Sequence, residues 1–258
     1  MIIFNHFVFN IKFARHPEKY PFEKRYKVIR KEIRFVFRRF HLDYKTKNLE
    51  SFYKLNRKCL IISNHLSDFD PLAFVAVSEK PITFVCKQEV FNFPFVGKVA
   101  KALECFPLDR KNLMNQISQI KNLVSYLKDE NKPSVLVFIE GTRNKDPGAP
   151  CLDFHPGTLK VALMANVPLY LSSIYGSSRI LDKKSYIKKY PVFFDFIRLI
   201  DTEEAKAYNT TQLAPMLQKE TNEAVNAQRA LDKEYINALR MSKKRKELET
   251  RFDISVNP

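Results

Sequence analysis

Two short unbroken apolar runs constrain the fold of this chain more than any other feature. Cys59-Leu60-Ile61-Ile62 and Val135-Leu136-Val137-Phe138-Ile139 show no alternation of polar and apolar side chains. A strand of that kind is buried on both faces, as inside a parallel sheet covered by helices. Further apolar runs at 82–86, 167–174 and 192–197 read as strands. The run Cys105-Phe106-Pro107-Leu108-Asp109-Arg110 holds a proline, which predicts an edge position. Between the strands lie helical stripes, the clearest at Leu113, Ile117, Ile120, Val124 and Leu127. The alternation predicts an α/β fold with a mostly parallel central sheet flanked by helices. Residues 41–58 read as a polar connection holding at most one strand. From about 203 to 249 the chain reads as helical, with Leu213, Met216 and Leu217 facing inward.

Both apolar runs lead straight into polar blocks, and active sites of open α/β sheets form at the carboxyl ends of strands. The first block is Ser63-Asn64-His65-Leu66-Ser67-Asp68-Phe69-Asp70-Pro71. A neutral imidazole can take a proton from a hydroxyl while a carboxylate on its other nitrogen fixes the tautomer, so His65 and Asp70 are a candidate base and orienter. Two other readings compete. Asp70 before Pro71 suits a helix N-cap, and Asp68 is an alternative partner for the histidine.

The second block is Glu140-Gly141-Thr142-Arg143. Arginine offers a planar fork for phosphate, and glycine lets backbone N–H groups approach an anion. A structural turn closed by Arg143 and Glu140 is the alternative. Lys87 and Arg110, near the ends of two other strands, add cations. Together these groups predict a phosphorylated substrate whose hydroxyl is activated.

The formal net charge of +16 calls for a polyanionic partner, a nucleic acid or an anionic membrane surface. Between Lys12 and Arg39, eleven basic side chains face three acidic ones, a surplus of +8 and half of the total. The same stretch carries a helical stripe of Tyr26, Ile29, Ile33, Val36, Phe37 and Phe40. Residues 1–42 are therefore predicted to form an amphipathic N-terminal element that lies on a membrane, with 43–258 as the α/β domain. The other reading packs the stripe on that domain, and a stripe shared between protein and lipid satisfies both. No apolar run approaches the roughly 20 residues a spanning helix needs. The opening apolar residues precede Lys12 and Arg15, the reverse of a signal peptide's order. The expected location is the cytoplasmic face of the membrane, peripheral or monotopic. A nucleic-acid binder would interleave stacking aromatics with its cations, whereas the phenylalanines here fall on strand interiors and helix stripes, so no nucleic-acid partner is expected.

Cys59, Cys86, Cys105 and Cys151 are widely spaced, with no C-x-x-C pair, and no metal or redox cofactor is implied. Glycine is scarce, and no nucleotide-binding glycine fingerprint or G-x-S-x-G nucleophile elbow occurs.

The two blocks also carry a resemblance. Asn64-His65-Leu66-Ser67-Asp68-Phe69-Asp70 resembles the N-H-x-x-x-x-D motif of the glycerolipid acyltransferases, the 1-acylglycerol-3-phosphate acyltransferase family. Phe138-Ile139-Glu140-Gly141-Thr142-Arg143 resembles the F-P-E-G-T-R block of that family. The segment from Lys87 through Pro94 and Gly97 to Arg110, and Val167-Pro168-Leu169, resemble its two other blocks in the same order. The resemblance implies transfer of an acyl chain from a thioester of coenzyme A or acyl carrier protein to the sn-2 hydroxyl of a lysophospholipid. Glycerol 3-phosphate is an alternative acceptor. His65 would be the general base and Asp70 its orienter. Glu140, Gly141, Thr142 and Arg143 would form the acceptor site, with Lys87 and Arg110 as further phosphate contacts. Five positions depart from the pattern: Ile139 replaces a proline, Glu104 a glycine and Leu171 a second proline, while His155-Pro156 stands where basic residues are common.

Overall fold

The computed structural model describes residues 12–109, 112–180 and 190–238. Arg110, the opening apolar residues and the basic run at 243–246 lie outside the described residues. The strands are β1 (Leu42–Lys47), β2 (Leu60–Ser63), β3 (Ile82–Lys87), β4 (Phe106–Leu108), β5 (Ser134–Phe138), β6 (Leu169–Tyr175) and β7 (Tyr190–Ile200). They form one sheet in the order β1-β7-β6-β2-β5-β3-β4. Five neighbouring pairs are parallel, and only β6 and β7 run antiparallel. The mostly parallel sheet expected from the apolar runs is therefore present, with β2 at its centre and proline-bearing β4 at an edge.

The helices are α1 (Phe22–Arg39), α2 (Leu49–Lys54), α3 (Asp70–Val77), α4 (Val96–Ala102), α5 (Leu113–Lys128), α6 (Pro156–Ala165), α7 (Thr202–Ala207) and α8 (Thr210–Ala238). Their ends follow from local chemistry. Asn112 accepts the amide of Asn115 at the start of α5, and Asp201 accepts those of Glu203 and Glu204 at the start of α7. Asn166 closes α6 in the left-handed conformation.

The doubly buried strands separate two apolar layers. Cys59 and Ile61 face a layer with Ile29, Ile33, Phe37 and Phe74. Leu60 and Ile62 face another with Leu127, Leu159, Leu213 and Leu217. Met216, expected to face inward, is exposed. It precedes Leu217 by one position, and consecutive helical residues point about 100° apart.

The region 41–58 is more ordered than a polar connection. Tyr44 is fully buried on β1, and Phe52 on α2 stacks on Phe196. The stripe of α1 is mostly turned to the protein. Tyr26, Ile29, Ile33 and Phe37 are buried, each worth on the order of 2 kcal/mol, and Tyr26 Oη donates to Ser78 O at 3.0 Å. Peeling α1 away from the sheet would forfeit all four, so 1–42 does not carry a core of its own within its described part. Val36 and Phe40 stay exposed at its C-terminal end. No described helix is long and apolar enough to cross a membrane.

Glu104 takes a left-handed backbone (φ 51°) at the place where the resembled pattern has glycine. A side chain there costs on the order of 1–2 kcal/mol. Arg25 of α1 and Lys132 both pair with its carboxylate. Burial acts to raise the Glu104 pKa, but these cations outweigh it and hold the carboxyl below its ordinary value. The substitution thus ties α1 to the sheet domain.

Candidate active site

The site begins where β2 stops pairing. Its register with β6 ends at Ile62–Leu171, and side chains take over beyond. Ser172 Oγ donates to Ile62 O at 3.0 Å. The buried Asn64 amide then pairs with β6 through both of its groups, Nδ2 to Ile174 O and Oδ1 from Ile174 N, each at 2.9 Å. The backbone after Ser63 is thereby free to turn while the strand end stays fixed. Sequence reasoning gave Asn64 no role beyond the motif, and the signal for one is an amide side chain directly after a doubly buried strand.

The turn brings His65 and Asp70 together, with Nδ1 2.8 Å from Asp70 Oδ2. The same oxygen accepts the amides of Leu66 at 2.7 Å and Ser67 at 2.9 Å. Three nitrogens thus converge on one carboxylate oxygen, which ties the turn to the imidazole. Asp70 is fully buried and is the first residue of α3, and Phe69 occupies the N-cap. The N-cap reading of Asp70 is therefore corrected: its carboxylate closes the turn behind it instead of the helix ahead. The His65 ring stacks on Phe138 with centroids 4.1 Å apart. With Nδ1 committed to Asp70, Nε2 is the ring nitrogen that remains for another group.

Glu140 is nearly inaccessible. Its Oε1 accepts the His65 amide at 2.9 Å and its Oε2 the Leu152 amide at 3.1 Å. Burial pushes its carboxyl up to about 6, against the opposing pull of the two amides and of His65. It was expected in the acceptor site, but both of its oxygens hold backbone, and Arg143 pairs elsewhere. The turn closed by Arg143 and Glu140 does not form. Arg143 Nη1 donates to Asp68 Oδ2, and both side chains are substantially exposed. Asp68, the alternative partner for the histidine, is thus engaged across the mouth of the site.

Gly141 has φ +66°, and a Cβ there would lie 2.7 Å from the His155 ring, so both backbone and space require glycine. Thr142 is exposed beside it. Lys87 ends β3, which is separated from β2 by β5, so it stands at the same edge roughly 10 Å across the sheet. Among the described residues, no group of three or more His, Cys, Asp or Glu side chains is arranged to hold a metal.

A family model described as Acyltransferase matches residues 43–174, from β1 nearly to the end of β6. The chain belongs to the acyltransferase family. The probable 1-acyl-sn-glycerol-3-phosphate acyltransferase of Mycoplasma genitalium is 31% identical over 140 residues, 52% of this chain and 50% of that protein. Its counterpart from Mycoplasma pneumoniae is 29% identical over 180 residues, 67% of this chain and 64% of that protein. The chain's match spans between half and two thirds of the length of these relatives. The crystal structure of the 1-acyl-sn-glycerophosphate acyltransferase PlsC from Thermotoga maritima shares the fold, with a TM-score of 0.64, 20% identity and coverage of 89% of this chain and 98% of that one.

Two further departures from the resembled pattern lie in the interior. Ile139 is buried and donates its amide to Ser63 O at 3.1 Å, a bond that proline has no hydrogen to make. It extends the β2–β5 ladder by one rung, two residues before His65. Leu171, also buried, fills the α8 side of β6.

Proposed function

We propose that the protein moves an acyl chain from a thioester, carried on acyl carrier protein or coenzyme A, to the sn-2 hydroxyl of lysophosphatidate, making phosphatidate. The observation that carries this reading is the His65–Asp70 pair at 2.8 Å, set beside Arg143 at the end of two parallel strands. The names of the mycoplasma relatives support the choice of acceptor.

In this mechanism His65 Nε2 removes the hydroxyl proton as the oxygen attacks the thioester carbonyl. The tetrahedral intermediate collapses with loss of the C–S bond, and the imidazolium returns its proton to the departing thiolate. Asp70 holds the Nδ1 hydrogen throughout and balances the charge on the ring. Since the acceptor oxygen attacks directly, no acyl-enzyme is needed. The phosphate of the acceptor pairs with Arg143, with Gly141 and Thr142 beside it and with Lys87 and Arg110 as further cations. Arg143 exchanges Asp68 for phosphate at small expense, because an exposed ion pair is worth about 1 kcal/mol or less and a forked phosphate contact is stronger.

The acceptor is an amphiphile, so the site works against lipid. Phe93, at 59% exposure, with Phe95 and Val96, follows Lys87 along the chain, and Val36 and Phe40 remain open on α1. These residues, with the basic face of α1, support peripheral docking on an anionic bilayer. The set differs from the full α1 stripe, four members of which are buried.

The test is an acyltransfer assay with lysophosphatidate, glycerol 3-phosphate and other lyso-acceptors against both thioester carriers, in anionic vesicles. Lysophosphatidate is expected to be the preferred acceptor, with turnover falling by about 10²–10⁴ in His65→Ala. Undiminished turnover in that variant would overturn the mechanism, and preference for another acceptor would overturn the substrate.

A further inference from the structure

The second polar block is held from outside the matched family region. Three side chains on α8 grip the loop that follows β5, mostly through its backbone, with Asp153 Oδ1 the one loop side chain they reach, 3.5 Å from Gln218 Nε2. Asn222 Oδ1 accepts the Cys151 amide at 2.7 Å. Gln218 Nε2 donates to Cys151 O at 3.0 Å and to Leu152 O at 3.1 Å. Arg229 Nε donates to Pro147 O at 2.9 Å, and its Nη2 to Ala149 O. Gln218 and Asn222 are four residues apart, so they share a helix face.

These bonds connect to the histidine without a gap. Leu152, whose carbonyl Gln218 holds, gives its amide to Glu140 Oε2. Glu140 Oε1 takes the His65 amide. The same helix braces the other flank, where Arg229 and Arg179 lie 5.9 Å and 6.0 Å from the Tyr175 ring. Tyr175 follows Ile174, the residue that Asn64 grips.

We infer that α8 is a positioning strut for the reaction, with Gln218 and Asn222 as positioning residues. They fix Cys151 and Leu152, Leu152 aims Glu140, and Glu140 fixes the backbone that carries His65. The inference rests on the acyltransfer reading for its effect on rate, but not for the mechanical coupling itself. Loss of the strut removes no group that touches substrate but misplaces the base, and small misplacements of a reacting group are costly to rate. The two positions have opposite polarity. Residue 222 must accept a hydrogen bond, whereas residue 218 must donate one.

The experiment uses the full chain and two readouts. In steady-state kinetics with lysophosphatidate and an acyl thioester, Asn222→Leu and Gln218→Glu are expected to lower kcat about tenfold, with KM for both substrates within about twofold. Asn222→Asp keeps the acceptor and is expected to recover kcat to within about twofold, while Gln218→Glu sets a carboxylate against two carbonyls and does not. Residue-resolved hydrogen exchange is expected to show the amides of Cys151, Leu152 and His65 opening about tenfold faster in Asn222→Leu, with β5 unchanged. Gln218→Met, close in volume, serves as a second removal of the donor and is expected to match Asn222→Leu. A His65 amide indifferent to these changes overturns the strut whatever the activity. So does an Asn222→Asp enzyme as slow as Asn222→Leu, or an unchanged kcat despite faster loop exchange. A responsive His65 amide in a protein that does not turn over lysophosphatidate overturns the proposed substrate and supports the coupling.

Discussion

Leu60 to Ile62 on β2 and Val135 to Phe138 on β5 place only apolar side chains between the helical layers, and the charged groups of the site lie beyond the strand ends. The antiparallel side of the same sheet is built differently. Asp43 and Lys45 are buried on β1, 3.4 Å apart, with the Lys45 amine 4.9 Å from the Tyr235 ring centroid and the Tyr235 hydroxyl bonded to Asp43. Asp232 takes a two-pronged contact from Arg179 at 2.8 and 3.1 Å. Gln228 donates to Ser173 at 2.9 Å. Apolar contacts tolerate rotation and sliding, whereas a buried polar group left without its partner is heavily penalised. The parallel half therefore supplies a rigid platform, and the antiparallel half uses directional bonds to set the rotation and height of α8. The candidate site stands on one half, and the angle of the helix bracing it is set by the other.

The largest expected effect breaks the catalytic side alone. Asp70→Asn retains shape but offers its amide group to the His65 ring or to the Leu66 and Ser67 amides. Acyltransfer is expected to fall by about 10³–10⁴ with melting temperature little changed, read by assay and calorimetry side by side. A milder loss would mean that Asp70 serves the turn more than the tautomer.

Next comes the opposite half. Asp232→Leu strands the Arg179 guanidinium and is expected to cost about 3 kcal/mol in urea unfolding. Loss of stability without loosening of α8 in hydrogen exchange would refute the register role given to these pairs.

Glu140→Gln touches the joint between the halves. One of its two amide donors would face an NH₂ group, and an unsatisfied buried donor costs about 1–3 kcal/mol. The wild-type carboxyl titrates near 6, above its ordinary 4.5. Its contribution to stability is thus full below 4.5 and is lost as pH rises through about 6. The glutamine variant is expected to lack that slope in unfolding measured from pH 4 to 7, together with about a tenfold loss of activity. The smallest effect belongs to Asp68→Ala, which frees an exposed Arg143. Stability should change by less than about 1 kcal/mol, and the KM for lysophosphatidate should fall slightly as the competing carboxylate disappears.

The parallel half was legible in the sequence because burial on both faces leaves an unmistakable run of apolar residues, and because His65 and Asp70 are near neighbours in the chain. The antiparallel half was less so. β1 reads Leu42-Asp43-Tyr44-Lys45-Thr46-Lys47, in which Asp43 and Lys45 look solvated until Tyr235 of α8 covers them. The role of Glu140 was hidden for a similar reason. A glutamate beside an arginine suggests a ligand site, and nothing local indicates that its partners are the amides of His65 and Leu152, 75 and 12 residues away. The α1 stripe was visible, but its choice between lipid and protein depended on α3 and the sheet beneath it.

The antiparallel pairing of β6 with β7 has a consequence for any attempt to isolate the catalytic half. The matched region ends at residue 174, and a fragment cut there would lose β7, which pairs with β6 from Leu169 to Tyr175. A bare row of amides and carbonyls would then flank Leu169, Leu171 and Ile174. Apolar edges of that kind recruit other chains. Excision at the boundary of the family match is thus a recipe for aggregation, and β7 protects the matched half from self-association while contributing none of its candidate reactive groups.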